Sequence, residues 1–136
     1  KTEVETMPRS VYFGRATGDE NGSEFSLMLV GWGSGTGEAS SPLRALLHTR
    51  NDETGLGRTN RGRFSSAPFD ATLQMALNTV DDDMREALLA RATEIAMREV
   101  GIIPTHFQVN TWGTRKGLSY IPRTDEYTRP TNVVIE

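Results

Sequence analysis

With 136 residues, of which 36% are hydrophobic and 24% charged, the chain is long enough to bury a core, and we expect a single domain over residues 1–136. The formal charge of −3 arises from 15 basic and 18 acidic residues that are interspersed, which argues against a nucleic-acid partner. The lack of cysteine excludes disulfides, thiolate metal sites and thiol nucleophiles, and no apolar run is long enough to cross a bilayer.

The amino-terminal segment predicts a short strand followed by a helix. Val4 alternates with charged neighbours in TEVETM, which is typical of a strand. Pro8 stands where the first turn of a helix reaching to about Ala16 would begin, and Gly18 is expected to end that helix. The sequence GDENGSE consists of turn formers and acids, so we expect an exposed connection over residues 18–24.

The apolar run over residues 25–30 predicts the central strand of the fold. Six nearly all apolar residues are typical of a strand that is covered on both faces. A strand, a helix and a second strand in this order suggest a right-handed crossover. We therefore expect a mixed α/β fold, with a small mixed sheet centred on residues 25–32 and flanked by helices.

The middle of the chain predicts a short helix and then a long irregular connection. The stretch SPLRALLHT offers Ser41 as a helix cap and Pro42 at the first helical position. Residues 50–68 show no periodicity, and a connection of this length in a small domain is typically functional or mobile. Three arginines form the densest basic cluster of the chain, which we interpret as a solvated loop: Arg58, Arg61 and Arg63.

Two amphipathic helices are predicted to follow each other closely. Apolar residues recur at helical spacing over residues 69–80 and again over residues 84–96. The three acids at 81–83 suit the positive end of the second helix dipole, and Gly101 with Pro104 would end that helix.

The carboxyl-terminal segment predicts one more strand and an extended tail. Residues 105–112, THFQVNTW, alternate with the period of a half-buried strand. Because the tail carries Pro122 and Pro130, we expect it to lie extended over the surface or to pair with another part of a longer protein.

Four glycines at alternate positions, residues 31, 33, 35 and 37, raise the question of a nucleotide site. Backbone amides freed by glycine can bind phosphate at the start of a helix. Here, however, the dinucleotide fingerprint meets Thr36 or Glu38 where its third glycine belongs, and no Gly-Lys-Ser/Thr of a Walker loop is present. The sequence therefore argues against a nucleotide cofactor.

Metal-assisted hydrolysis is the alternative chemistry that the sequence leaves open. It would use His48 with the acids of residues 51–53, together with the distant His106. The spacing matches no established ligand set, and the serines within residues 34–41 form no G-x-S-x-G elbow. We therefore expect no catalytic residue, no metal and no cofactor, and we keep a small hydrolase built on His48 as the alternative.

Trp32 is the residue that points to a binding pocket. It stands at the end of the predicted central strand, and ligands of open α/β sheets bind outside the carboxyl ends of the strands. From the residues alone, a pocket wall and ordinary core packing explain this tryptophan equally well.

The order of several sequence landmarks resembles one known family. The landmarks are VYFGRATG, FSLMLVGWGSGTGEASSP, RFSSAPFDATLQMALNTVDDDMREALLARATEIAMREVGIIPTHF and RKGLSYIP. They are similar to the carboxyl-terminal part of the family 5 extracellular solute-binding proteins, which are the peptide, oligopeptide and nickel receptors of ABC importers. In that family a strand ending in Gly-Trp precedes a loop at the cleft, and here this pair is Gly31-Trp32.

The resemblance implies a receptor rather than an enzyme. Because the chain begins at Lys1 and the resemblance covers nearly all of it, we expect a carboxyl-terminal fragment of a larger protein and part of one lobe of a bilobed, periplasmic binding protein-like fold. The implied partners are a peptide or other small solute, the ABC permease subunits in the membrane, and the missing amino-terminal part of the same chain. The implied location is periplasmic or extracellular, with lipid anchoring as one option.

The resemblance also implies which residues contact the solute. Six positions are expected to do so: Trp32, Glu38, Gly33, Ser34, Gly35 and Arg15. Peptide-binding members commonly carry an aspartate three residues after the tryptophan, where it pairs with the peptide's α-amino group, but this chain has Gly35 there. A buried ammonium without a carboxylate is strongly disfavoured, so either Glu38 reaches inward or the solute is not an ordinary peptide.

Overall fold

The computed structural model describes residues 1–18 and 23–136. Four helices and two strands are present in these residues: α1 (Arg9–Thr17), α2 (Ser40–Leu46), α3 (Ala67–Asn78), α4 (Asp82–Arg98), β1 (Leu118–Tyr120) and β2 (Val133–Ile135), the last preceded by a 3-10 turn at Pro130–Asn132. The expected exposed connection lies outside the described residues over positions 19–22. The combination of helices with a small sheet confirms the mixed α/β class in its coarse form.

The core lies where the two amphipathic helices were predicted. The side chain of Ser66 caps α3 by accepting a hydrogen bond from the Phe69 amide, and Asp81 caps α4 in the same way from the Met84 amide. The main core cluster takes its buried apolar side chains from α2 and its end, from α3 and from α4: Leu43, Leu47, Phe69, Leu73, Ala76, Leu89, Ala92, Ile95 and Ala96. Each large side chain among them contributes about 1.5–3 kcal/mol through burial.

The two shorter helices also follow local sequence signals. Pro8 directly precedes α1, and Gly18 ends it with a positive φ of 61°, as predicted. Helix α2 begins two residues earlier than expected, at Ser40 with Ala39 as its cap position. The predicted cap, Ser41, therefore lies inside the first turn of α2.

The predicted central strand over residues 25–30 is wrong, and with it the sheet centred on residues 25–32. The segment forms no strand, and the side chains of Leu27 and Leu29 are 77% and 71% exposed. The Tyr12 hydroxyl of α1 donates to the Leu29 carbonyl oxygen at 2.7 Å. A strand needs a neighbouring strand for its amide and carbonyl groups, and the described residues supply none here.

The other two predicted strands, within residues 2–7 and over residues 105–112, are likewise wrong. The strands that do form are β1 and β2, which pair antiparallel with Leu118 opposite Ile135 and Tyr120 opposite Val133. The carboxyl-terminal tail is therefore paired with a segment of this chain.

The chain contacts divide into two compact units, Lys1–Pro104 and Thr105–Glu136. The first unit contains all four helices described above, and the second contains the β1–β2 pair. A single domain over residues 1–136 stays a prediction. No helix in the part of the chain that the structure describes combines the length and apolar character needed to cross a membrane.

Candidate functional site

An open depression of about 450 Å³ lies on the first unit and is the candidate site. Helix α1 contributes Arg9 and Phe13 to its lining, the extended segment contributes residues 30–33, and the loop before α3 contributes Thr59 and Arg61. Three segments that are far apart in the sequence therefore meet at one concave surface.

Trp32 lies at the wall of this depression and is 43% exposed. Its neighbour Gly33 also lines the depression, and the space where a Gly33 side chain would begin is open. An indole that keeps nearly half of its surface accessible beside a bare backbone can pack against a small molecule. The role of Trp32 as a ligand contact stays a prediction that this placement supports.

Two guanidinium groups lie close to the ring of Phe13 in the depression. The Cζ atom of Arg9 lies 5.5 Å from the ring centroid, and the Cζ atom of Arg61 lies 4.9 Å from it. Both distances are within the range of cation–π attraction. Within residues 1–18 and 23–136, neither arginine forms an ion pair with a carboxylate, and the buried Nε of Arg61 has no hydrogen-bond partner.

The loop that carries Arg61 is held in place by its neighbour Asn60. The Asn60 side chain is buried, and its amide nitrogen donates to the carbonyl oxygens of His48 at 3.0 Å and Phe64 at 2.7 Å. Its carbonyl oxygen accepts from the Phe64 amide at 3.1 Å. Three hydrogen bonds from one buried side chain order the turn and so determine where Arg61 stands.

Sequence reasoning missed three of the lining side chains, namely Arg9, Phe13 and Arg61. The sequence predicts a solvated loop at Arg61, whereas the structure places its side chain in the lining of the depression. One local signal was available for the other two: Arg9 and Phe13 are four residues apart on a helix, a spacing that brings side chains together.

Glu38, the second expected contact, does not line the depression. Its carboxylate accepts hydrogen bonds from Nε and Nη2 of Arg85, the latter at 3.1 Å, and from the Ser40 hydroxyl. The hydrogen bonds from Arg85 and then from Ser40 lower the pKa of Glu38 to about 2. Arg85, on α4, also donates to the Ala76 carbonyl oxygen of α3 at 2.6 Å, so the pair of Glu38 and Arg85 joins the loop of Glu38 to both helices.

Ser34 and Gly35, expected to offer backbone amides, belong to a turn outside the lining of the depression. The Gly37 amide donates to the Ser34 carbonyl oxygen at 3.2 Å, and Gly37 has a φ of 74°. The Ser34 hydroxyl donates to the Glu38 carbonyl oxygen at 2.7 Å. These bonds give the turn a local structural role, and contact of its residues with a solute stays a prediction.

Arg15 is engaged by two carboxylates. Its guanidinium donates to Glu24 at 2.8 Å and to Glu5 at 2.9 Å, and its Cζ lies 4.9 Å from the centroid of the Phe25 ring. The hydrogen bonds to Glu24 and Glu5 raise the pKa of Arg15. Arg15 does not line the depression, and this geometry is that of an ion-paired surface residue.

The residues of the alternative hydrolase are dispersed. Nδ1 of His48 lies 2.7 Å from the Thr49 carbonyl oxygen and 3.6 Å from Oδ1 of Asp70, whereas Asp52 pairs with Arg50 at 3.0 Å. Within the described residues, no group of three or more histidine, aspartate and glutamate side chains could hold a metal ion. A hydrolase built on His48 therefore gains no support from this geometry.

Comparisons of the chain with protein-family models, with curated protein sequences and with solved structures give no match. The likeness to family 5 solute-binding proteins thus rests on the sequence landmarks alone.

Proposed function

We propose that the chain is part of the substrate-binding component of an ABC importer, which captures a peptide-like or other small solute in a cleft and delivers it to a membrane permease. The supporting observation is that Trp32 lies half-exposed at the wall of an open depression. Its side chain is thus accessible to a ligand, which ordinary core packing would have prevented.

The proposed mechanism is closure of two lobes over the solute. A solute would first contact the depression on this lobe, where Trp32 and Val30 supply apolar surface and the glycines beside them permit close approach. The proposal includes a bilobed fold. The opposing lobe would then close over the bound molecule. The closed form would be the one that the permease recognises.

The test is a thermal-shift screen of the full-length protein that contains this sequence. Peptides, opines, sugars and metal chelates are each added in excess, because a ligand that binds the native state raises the unfolding temperature by mass action. We expect at least one solute class to stabilise the protein. Substitution of Trp32 by Ala is expected to weaken binding of that solute about tenfold or more, since a buried aromatic contact is worth roughly 1.4 kcal/mol or more.

Trp112→Ala is the matched control, since Trp112 stacks on Tyr120 in the second unit at 5.3 Å between ring centroids. It removes the other tryptophan and is expected to leave solute binding unchanged. A panel of ester and peptide substrates is run in parallel. Turnover that is lost in His48→Ala, together with no stabilisation by any solute, would replace the receptor proposal by the hydrolase.

A further inference from the structure

We infer that the depression beside Trp32 is a subsite for a carboxylate, with Arg9 and Arg61 as the groups that bind it and the indole packing against the apolar part of the same molecule. This inference rests on the proposed function and names its solute class. The solute would be an organic anion whose carboxylate stands next to an apolar or aromatic group.

The charge of the side chains that line the depression favours an anionic ligand. Arg9 and Arg61 are the ionisable side chains that line the depression, so its described lining carries two positive charges and no negative one. The remaining side chains that line it are those of Phe13, Val30, Trp32 and Thr59, which are apolar or uncharged. Two positive charges at a partly apolar concave surface favour an anion over a cation or a neutral molecule.

The position of the two guanidinium groups beside Phe13 also favours a carboxylate. Both pack near the ring of Phe13, with Cζ atoms 5.5 Å and 4.9 Å from its centroid. A guanidinium that stacks face-on against a ring keeps the N–H groups at its edge available to a ligand. The Nε of Arg61 has no hydrogen-bond partner in the part of the chain that the structure describes and is buried, so this donor is unsatisfied rather than exposed.

The shape of the ligand follows from these two features. A guanidinium edge matches the two oxygens of a carboxylate, which it can bind through two parallel hydrogen bonds. The indole of Trp32 and the side chain of Val30 offer apolar surface in the same depression. Phenylacetate combines both features, and phenylacetamide has the same size and shape without the charge, so the two form a matched pair of probes.

The first experiment measures the electrostatic potential around Trp32 by comparing fluorescence quenchers of opposite charge. Trp112→Phe makes Trp32 the single tryptophan of the chain, and its fluorescence is then quenched with iodide, with caesium ion and with neutral acrylamide. We expect iodide to quench several-fold more strongly than caesium. The excess should fall in Arg9→Gln and Arg61→Gln and should remain in Arg58→Gln, which removes an exposed arginine outside the lining. Equal quenching by iodide and caesium would overturn the inference.

The second experiment measures binding by NMR of the ¹⁵N-labelled 136-residue chain, followed at the Trp32 indole and the arginine Nε signals. We expect phenylacetate to shift these signals with a dissociation constant in the millimolar range, and Arg61→Gln to weaken binding about tenfold or more. Arg61→Lys keeps the charge without the planar edge and should bind with an intermediate constant. Arg58→Gln should bind as the parent does, and a thermal melt of each variant checks that it is folded.

Three results would overturn the carboxylate subsite: phenylacetamide binding as tightly as phenylacetate, inorganic phosphate binding more tightly than phenylacetate, or no shift at tens of millimolar. These results leave the proposed function standing if the full-length protein is still stabilised by a neutral solute through Trp32. Conversely, phenylacetate binding by the 136-residue chain, while none of the screened peptides, opines, sugars or metal chelates stabilises the full-length protein, supports the subsite and argues against the receptor.

Discussion

Gly57 is the residue whose replacement the structure tolerates least among the glycines of the irregular loop. It has a φ of 62°, which side chains rarely adopt, and its amide donates to the Arg44 carbonyl oxygen at 3.0 Å. A Cβ at this position would collide with the carbonyl oxygen of His48 and lie 2.9 Å from Cα of Arg50. The close approach of two backbone segments therefore requires glycine here.

We predict that Gly57→Ala is strongly destabilising and that Gly55→Ala is a matched control. Gly55 also has a positive φ, 73°, but a Cβ there would meet nothing within 4 Å. Gly55→Ala should cost about 1 kcal/mol of unfolding free energy from backbone strain alone. Gly57→Ala should cost about 2 kcal/mol more because the backbone must also shift. Urea unfolding of both variants measures the difference, and equal costs would contradict the prediction.

Glu38 illustrates how a residue expected to bind ligand can instead hold the fold together. Its pKa is lowered from 4.5 to about 2 by Arg85 and Ser40. A carboxylate whose pKa is lower in the folded state stabilises that state above its unfolded pKa, and this stabilisation is lost as pH falls through the folded value.

We therefore predict a pH-dependent effect of Glu38→Gln on stability. The variant should be less stable than the parent above pH 4.5, and the difference should shrink as the pH falls towards about 2. Urea midpoints measured across this range give the difference directly. Glu86→Gln, at an exposed position on α4, controls for the loss of one negative charge. A difference between parent and Glu38→Gln that does not change with pH would refute the role of the Glu38–Arg85 pair.

At the scale of elements, α3 and α4 could be predicted and the strands could not. The apolar spacing and the caps of both helices lie within the helices themselves or next to them, so the information is local. The run over residues 25–30 has the composition of a strand, but a strand also needs a partner, which is not a local property. Residues 133–135, expected as an extended tail, obtain such a partner in β1.

The end of α4 shows a cap that the sequence does not suggest. The Gly101 amide donates to the Ala96 carbonyl oxygen at 2.8 Å and the Val100 amide to the Met97 carbonyl oxygen at 3.2 Å, which is the Schellman pattern. The residue in the left-handed conformation is Val100, with a φ of 55°, rather than the neighbouring glycine. A β-branched residue is strained in this conformation.

We predict that Val100→Gly stabilises the protein by about 1 kcal/mol, because it removes this strain. Val100 is 66% exposed, so little packing is lost. Val80→Gly is the matched control: Val80 is 93% exposed, it precedes α4, and its φ is not positive. The control should be neutral or destabilising by about 0.5 kcal/mol, since glycine there only adds freedom to the unfolded chain. Thermal and urea unfolding report both, and a destabilised Val100→Gly would show that the cap is unstrained.

At the scale of the whole molecule, the two units differ in what they bury. All buried apolar side chains of the described core belong to Lys1–Pro104. In Thr105–Glu136 the regular structure is a pair of three-residue strands and one 3-10 turn. A single pair of such short strands is marginally stable by itself.

We predict that residues 1–104 fold without the second unit. This fragment should retain the helical circular dichroism signal and unfold cooperatively in urea, because its core is complete within it. The fragment of residues 105–136 is the counterpart and should show no cooperative transition. A fragment of residues 1–104 that unfolds without a transition would mean that its core depends on the remaining residues.

The sequence by itself determined the four helices to within a few residues and the lack of cysteine chemistry. It also determined that Trp32 stands next to the glycine-rich residues 33–37. Each of these features depends on residues that are close together in the chain. Only the tertiary structure decided which segments pair as strands and that Arg9, Phe13, Trp32 and Arg61 meet at one depression. These contacts join residues up to 52 positions apart, from Arg9 to Arg61. Such meetings depend on the packing of α1 and of the loop before α3, which no local pattern specifies.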